Sequence, residues 1–194
     1  TECVNDDMVS LIESASMDDK VYLDSNGVTR DSFALARKIY DSGFRPDVVI
    51  ALWRGGTPVG IAVHEFLHYK GVECYHTAVK TCAYTGIGQC REPVIENMDY
   101  VLDRIGPGTK VLVVDDIFDS GATIRAVRER LGRTRAEIRV ATLYFKPRRN
   151  TAGSGPDFFL REVDSWLVFP HELMGLTPEE IRRKDPEIHA LLGL

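Results

Sequence analysis

"KVLVVDDIFDSGAT", residues 110–123, changes character three times within a short span. Val111, Leu112, Val113 and Val114 form an apolar, largely β-branched run, the pattern of a strand buried on both faces. Acids follow at Asp115, Asp116 and Asp119, then Ser120, Gly121, Ala122 and Thr123. "ATIRAVRERL" (122–131) then has the spacing of a helix. A strand that passes through a short glycine loop into a helix N-terminus makes a cradle for phosphate. Unbonded first-turn amides point at the anion, the helix dipole favours it, and glycine lets the backbone come close. Three carboxylates on the same rim would repel a bare phosphate. They suit a ligand that also carries hydroxyls, a metal ion or a developing cation. The alternative is an acid-rich turn that only caps the helix.

Around this segment, apolar runs at 47–53, 73–79, 138–145 and 165–169 read as strands. Helical patterns fall at 31–40, 56–69 and 97–104, with a weak one at 6–16. In the helix at 31–40, Phe33, Ala36, Ile39 and Tyr40 make the apolar stripe, and Gly43 and Gly71 stand where helices stop. Thr177, Pro178 and Glu180 spell a capping box ahead of the terminal helices. Strands alternating with helices give an α/β fold, a parallel sheet flanked by helices, in which ligands bind beyond the carboxyl ends of the strands. Residues 80–93 hold glycines and a proline without periodicity and read as a long loop; 148–157 reads as a short one.

The chain of 194 residues, 44% hydrophobic, suits one domain with a sizeable core. Its net charge of −5 argues against a general polyanion binder, so nucleic acid is not an expected partner. No apolar stretch approaches a membrane span, and "TECVNDD" lacks a signal-peptide layout. Cys3, Cys74, Cys82 and Cys90 form no C-x-x-C pair, which points to a reducing, cytoplasmic setting.

"VLVVDDIFDSGAT" resembles the signature of the type I phosphoribosyltransferases, which bind 5-phosphoribosyl 1-diphosphate (PRPP). The resemblance implies that family's fold: one domain over 1–194, with a core at about 30–150 and a small hood from the N-terminal segment and about 151–194. It implies that Asp115 and Asp116 hold the ribose hydroxyls and that residues 119–123 wrap the 5′-phosphate. An aspartate at 119 resembles the 6-oxopurine branch, where that position is a general base near purine N7. The chemistry agrees, because loss of diphosphate leaves an oxocarbenium-like ribose that a carboxylate can stabilise. Arg54, Gly55 and Gly56 resemble the diphosphate loop, and a cis peptide at Trp53–Arg54 is implied with them. Lys146 matches the lysine that donates to the exocyclic O6. "WLVFPHE" (166–172) resembles the purine-binding stretch of this branch: Trp166 stacks on the base, Leu167 offers backbone groups, and Glu172 meets Mg2+ through water. Asp115 and Asp116 complete the implied metal set. The loop at 80–93 resembles a lid, although its Tyr84 stands out of the usual place. Homodimers or homotetramers are implied by the same relatives.

Two other readings compete. One is a PRPP-sensing regulator on the same fold, although such regulators usually add a nucleic-acid-binding segment. The other comes from "HEFLHYKG" (64–71), where His64, Glu65 and His68 spell the zinc-peptidase pattern. That helix follows the Arg54–Gly56 loop, and Gly71 needs only to cap it.

Overall fold

The computed structural model describes residues 20–82, 85–86, 89–90 and 93–194. The expected helix at 6–16 lies outside the described residues. In chain order the strands are Lys20–Tyr22 (β1), Val48–Trp53 (β2), Tyr75–Cys82 (β3), Thr85–Gly86 (β4), Gln89–Cys90 (β5), Val94–Glu96 (β6), Lys110–Phe118 (β7), Glu137–Phe145 (β8), Phe158–Glu162 (β9) and Trp166–Val168 (β10). The α-helices are Ser25–Asp41 (α1), Gly56–Tyr69 (α2), Asp99–Leu102 (α3), Ala122–Gly132 (α4), Pro178–Lys184 (α5) and Pro186–Leu191 (α6). The chain forms two compact units. One is Asn26–Asp164; the other brings together residues 20–25 and Ser165–Leu194.

The larger unit is built on a six-stranded sheet ordered β6-β3-β2-β7-β8-β9, parallel apart from β6. The inner strands are apolar because both faces are covered: Val111 to Val114, Val140, Ala141, Val49 and Ile50 are all buried. Ile124, Val127 and Leu131 of α4 pack into the same core as Val113 and Val140. β7 lies between β2 and β8, so its carboxyl end opens at the middle of the sheet, beside the end of β2.

Several elements differ from the sequence reading, each for a physical reason. β7 runs on through Phe118, because Ile117 and Phe118 still pair with Tyr144 and Phe145 and Phe118 is buried. α1 starts at Ser25, six residues early, and buries Val28, Leu35, Ala36 and Ile39; Phe33 stays 41% exposed. The apolar stripe is therefore one residue round from the Phe33 face. α3 is a single turn whose neighbours Met98 and Ile105 are buried without being helical. The segment at 80–93 holds strand structure: β3 continues to Cys82, β4 pairs with β5, and β6 returns antiparallel along β3. Its Tyr84 lies outside the described residues. β9, unread in the sequence, is a parallel edge strand on β8.

In the smaller unit β1 and β10 pair in parallel, Lys20 opposite Trp166 and Tyr22 opposite Val168. The capping box is present: Thr177 Oγ1 accepts the Glu180 N–H, and Glu180 Oε2 accepts the Thr177 N–H at 2.8 Å. Buried Glu180 also pairs with buried Lys20 at 2.5 Å. These hydrogen bonds, the Lys20 ammonium first among the favourable ones, outweigh burial and hold the Glu180 carboxyl below its usual range. Among the described residues no helix is long and apolar enough to cross a membrane.

Candidate active site at the carboxyl end of the central strand

The carboxyl ends of β2 and β7 bring two loops together, and glycine allows the approach. A Cβ on Gly55 would lie 2.0 Å from Asp116 Oδ2, and one on Gly56 would lie 2.4 Å from the Val114 carbonyl. The Gly56 N–H donates to the Asp115 carboxylate, so the Arg54–Gly56 loop and the acidic pair are joined directly. Asp115 Oδ1 accepts the Asp116 N–H at 3.0 Å, and Asp116 Oδ1 accepts the Ile117 N–H at 2.8 Å. Burial, and then the charge of Asp116, push the Asp115 carboxyl well above the ordinary range. An acid pair in that condition is stabilised by a ligand that brings hydroxyl donors or a cation.

The Trp53–Arg54 peptide is cis. Arg54 is exposed, and no described residue pairs with its guanidinium. The Thr57 N–H donates to the Arg54 carbonyl at 3.2 Å, and Thr57 Oγ1 is enclosed without a hydrogen bond. An exposed cation beside backbone amides at the start of α2 suits a diphosphate.

Beyond Asp116, the chain turns through Asp119 and Ser120 into α4. Gly121 holds φ +80°, and a Cβ there would meet Ala152 and Phe118 at 2.6 Å, so glycine is required twice over. The cleft above this turn has a volume of about 90 Å³ and is lined by Asp115 and residues 117–124. Its size and its helix N-terminus suit one phosphate group.

Asp119 stands at the lip between two cations. Lys146 is only 4% exposed, and its Nζ lies 3.7 Å from Asp119 Oδ2. Arg149 Nε lies 3.0 Å from Oδ1, an ion pair whose N–H is not aligned with the oxygen; Oδ1 is enclosed and accepts no hydrogen bond. Lys146 is fixed by its own N–H, which donates to the Phe118 carbonyl at 2.9 Å. Thr151 returns to the Ser120 carbonyl through its N–H at 3.0 Å and its hydroxyl at 3.2 Å. The segment from Lys146 to Thr151 is thus a strap tied to the strand and loop that carry Asp119. Sequence reasoning passed over Arg149, inside a stretch read as a short loop; the adjacent "KPRR" is the signal that was available.

In the smaller unit, Trp166 is 45% exposed, so its ring is not there to fill the core. The Lys20 ammonium lies 5.8 Å from the ring centroid. Leu167 is buried in β10, which among the described residues pairs with β1 alone. Glu172 Oε2 accepts the Phe169 N–H at 2.9 Å.

His64 and His68 rings stack at 6.0 Å, and His64 meets His76 of β3 at 3.9 Å, but no group of three potential ligands gathers among the described residues. Burial, then His76, depress the His64 pKa.

A family model described as a phosphoribosyl transferase domain matches residues 20–174. A xanthine-guanine phosphoribosyltransferase of Ruegeria sp. (strain TM1040) is 31% identical over 154 residues, 75% of this chain and 81% of the relative. The crystal structure of a purine phosphoribosyltransferase from Pyrococcus horikoshii superposes with a TM-score of 0.64 at 29% identity, covering 82% of this chain and 98% of that one. A protein from Neisseria gonorrhoeae, crystallised with bound ppGpp, superposes with a TM-score of 0.68 at 26% identity, covering 87% and 97%.

Proposed function

The chain belongs to the phosphoribosyl transferase family, and from that membership we propose that it moves the 5-phosphoribosyl group of PRPP onto a 6-oxopurine, hypoxanthine, guanine or xanthine, and releases diphosphate. One observation carries the choice of base: the buried Lys146 ammonium and the Asp119 carboxylate lie 3.7 Å apart at the lip of the phosphate cleft. A 6-oxopurine presents an acceptor, O6, beside a donor, N7–H, and such an edge complements a lysine next to an aspartate. Adenine places an amino donor where Lys146 needs an acceptor. The purine relatives in Ruegeria and Pyrococcus support this reading, as does the ppGpp, a guanine nucleotide, bound to the Neisseria protein.

In this reading Ser120, Gly121, Ala122 and Thr123 bind the 5′-phosphate, and Asp115 and Asp116 hold the ribose hydroxyls. Arg54 and Gly55 receive the diphosphate. Asp119 takes the proton from N7 as the base nitrogen attacks C1, and its charge steadies the ribose while diphosphate departs. For the smaller unit the proposed roles are that Trp166 stacks on the purine and Leu167 gives its edge backbone groups. The acid pair fits Mg2+, since a buried carboxylate pair favours a compensating cation: Asp115 and Asp116 would hold it. Bound there, the ion supplies positive charge for the departing diphosphate. A cytoplasmic location and a homodimer or homotetramer belong to the same proposal.

The test is spectrophotometric turnover of hypoxanthine, guanine, xanthine and adenine with PRPP and Mg2+. Turnover of at least one 6-oxopurine, with adenine inert, is expected. PRPP binding without turnover of any base would contradict the proposal and favour a regulator.

A further inference from the structure

Lys146 and Arg149 both approach Asp119, but they are placed differently, and the difference assigns Arg149 a task. Lys146 is buried and reaches Oδ2 from the end of β8; Arg149 is 58% exposed at its side chain and reaches Oδ1 from the strap. The strap is not a loose surface loop. Pro147 fixes the start of a 3-10 turn, the Arg149 N–H donates to the Lys146 carbonyl at 3.2 Å, and Thr151 is tied twice to the Ser120 carbonyl. Ala152 packs against Gly121, and Arg128 holds Ser154 at 3.0 Å and Asp157 at 2.8 Å. The neighbouring Arg148 turns instead to Asp164, at 3.2 Å. The backbone therefore delivers one arginine of the pair to the base and the other away from it.

We infer that Arg149 is a positioning residue that holds the Asp119 carboxylate for proton transfer once Lys146 has turned to the substrate. The inference rests on the proposed transfer to a 6-oxopurine. When O6 accepts from Lys146, the ammonium leaves the Oδ2 side and that oxygen faces N7–H. Arg149 stays on the Oδ1 side, where it compensates the charge without an aligned hydrogen bond, so the acceptor capacity of the carboxylate is not spent. The step balances: N9 forms the bond to C1, and the C1–oxygen bond breaks with its electron pair leaving on diphosphate. The N7–H pair returns to the ring, and the proton passes to Asp119. An exposed ion pair contributes little to folding, so loss of Arg149 should be read in the chemistry.

The experiment is steady-state kinetics of the full chain as Arg149→Ala, Arg149→Lys, Asp119→Asn and the Asp119→Asn/Arg149→Ala double variant, with PRPP affinity measured for each. Arg149→Ala should lower kcat by about 10- to 100-fold, the range expected when a reacting group is misplaced by about an ångström. PRPP affinity should stay within about twofold, Arg149→Lys should recover most of the loss, and Arg149→Ala should cost no more than about twofold on the Asp119→Asn background. An unchanged kcat in Arg149→Ala, or a full loss on the Asp119→Asn background, overturns the inference. If the unsubstituted protein transfers nothing, the proposed transfer falls with it; if only the Arg149 results fail, the inference falls alone.

Discussion

Two regions of the larger unit concentrate titratable side chains, and they are organised in opposite ways. At the end of β7 three separate stretches come together beside a cleft of only about 90 Å³: Gly55 and Gly56 lie against Asp116 and Asp115, and Lys146 and Arg149 lie against Asp119. On α2 the imidazoles come from helical periodicity and one neighbouring strand. His64 and His76 line a hollow of about 480 Å³ together with Val49, Ala51, Gly60 and Ala78. The hollow is much the larger, yet the charged side chain that lines it is Glu65, 3.7 Å from His64. Strand ends in a parallel sheet bring distant residues to one point, whereas a helix only repeats its own sequence along a face. Convergence, more than cavity size or motif spelling, singles out the end of β7 as the candidate site.

The sharpest way to break this contrast is to alter the proposed base, Asp119. Asp119→Asn should lower kcat by roughly 10²–10⁴, the span for a positioned acid–base group, and leave PRPP affinity nearly intact. Unchanged turnover would remove Asp119 from its role.

Lys146→Ala should relax the preference for 6-oxopurines and raise KM for them, by about 10-fold or more for a lost charged hydrogen bond. An unmoved ranking of the four bases would detach Lys146 from O6.

The next effect is on stability. Burial and Asp116 raise the Asp115 carboxyl, so the folded protein keeps a proton that the unfolded chain releases. The folded state then binds more protons, and this group's contribution falls as pH climbs from the ordinary value of 3.8 toward the raised one. Asp115→Asn removes that decline. At neutral pH the ligand-free variant should be more stable than the parent, by about 0.5–2 kcal/mol, while its PRPP affinity is lost. Denaturation at several pH values checks this, and a variant that loses ground to its parent as pH rises would contradict it.

The smallest effect belongs to the helix. His64→Ala should leave turnover unaltered and stability within about 1 kcal/mol, with no zinc in either protein by metal analysis. Stoichiometric zinc lost on substitution would reverse the contrast between the two regions.

The elements that organise the site were legible because their signals are local. The β-branched run of β7, Gly121 after the acids and the helix at 122 are consecutive, and Arg54–Gly56 follows a strand in the same way. Signals that depend on distant partners were not. Phe158–Glu162 is a short strand defined by its pairing with β8, and β10 joins Lys20–Tyr22, far away in the chain, rather than the large sheet. The apolar stripe of α1 was set one residue off because Leu35 and Phe33 are equally hydrophobic and only packing separates them. Arg149 gave only the basic "KPRR" as a signal, because its place beside Asp119 depends on a strap whose two ends are tied to Phe118 and Ser120.

The most direct measurement of the central claim is a crystal structure of the protein with PRPP bound. The 5′-phosphate should lie on the amides and hydroxyls of Ser120 to Thr123, with the ribose hydroxyls on Asp115 and Asp116 and the diphosphate against Arg54. A phosphate cleft left empty, with the ligand seated in the hollow beside His64 and His76, would contradict the account.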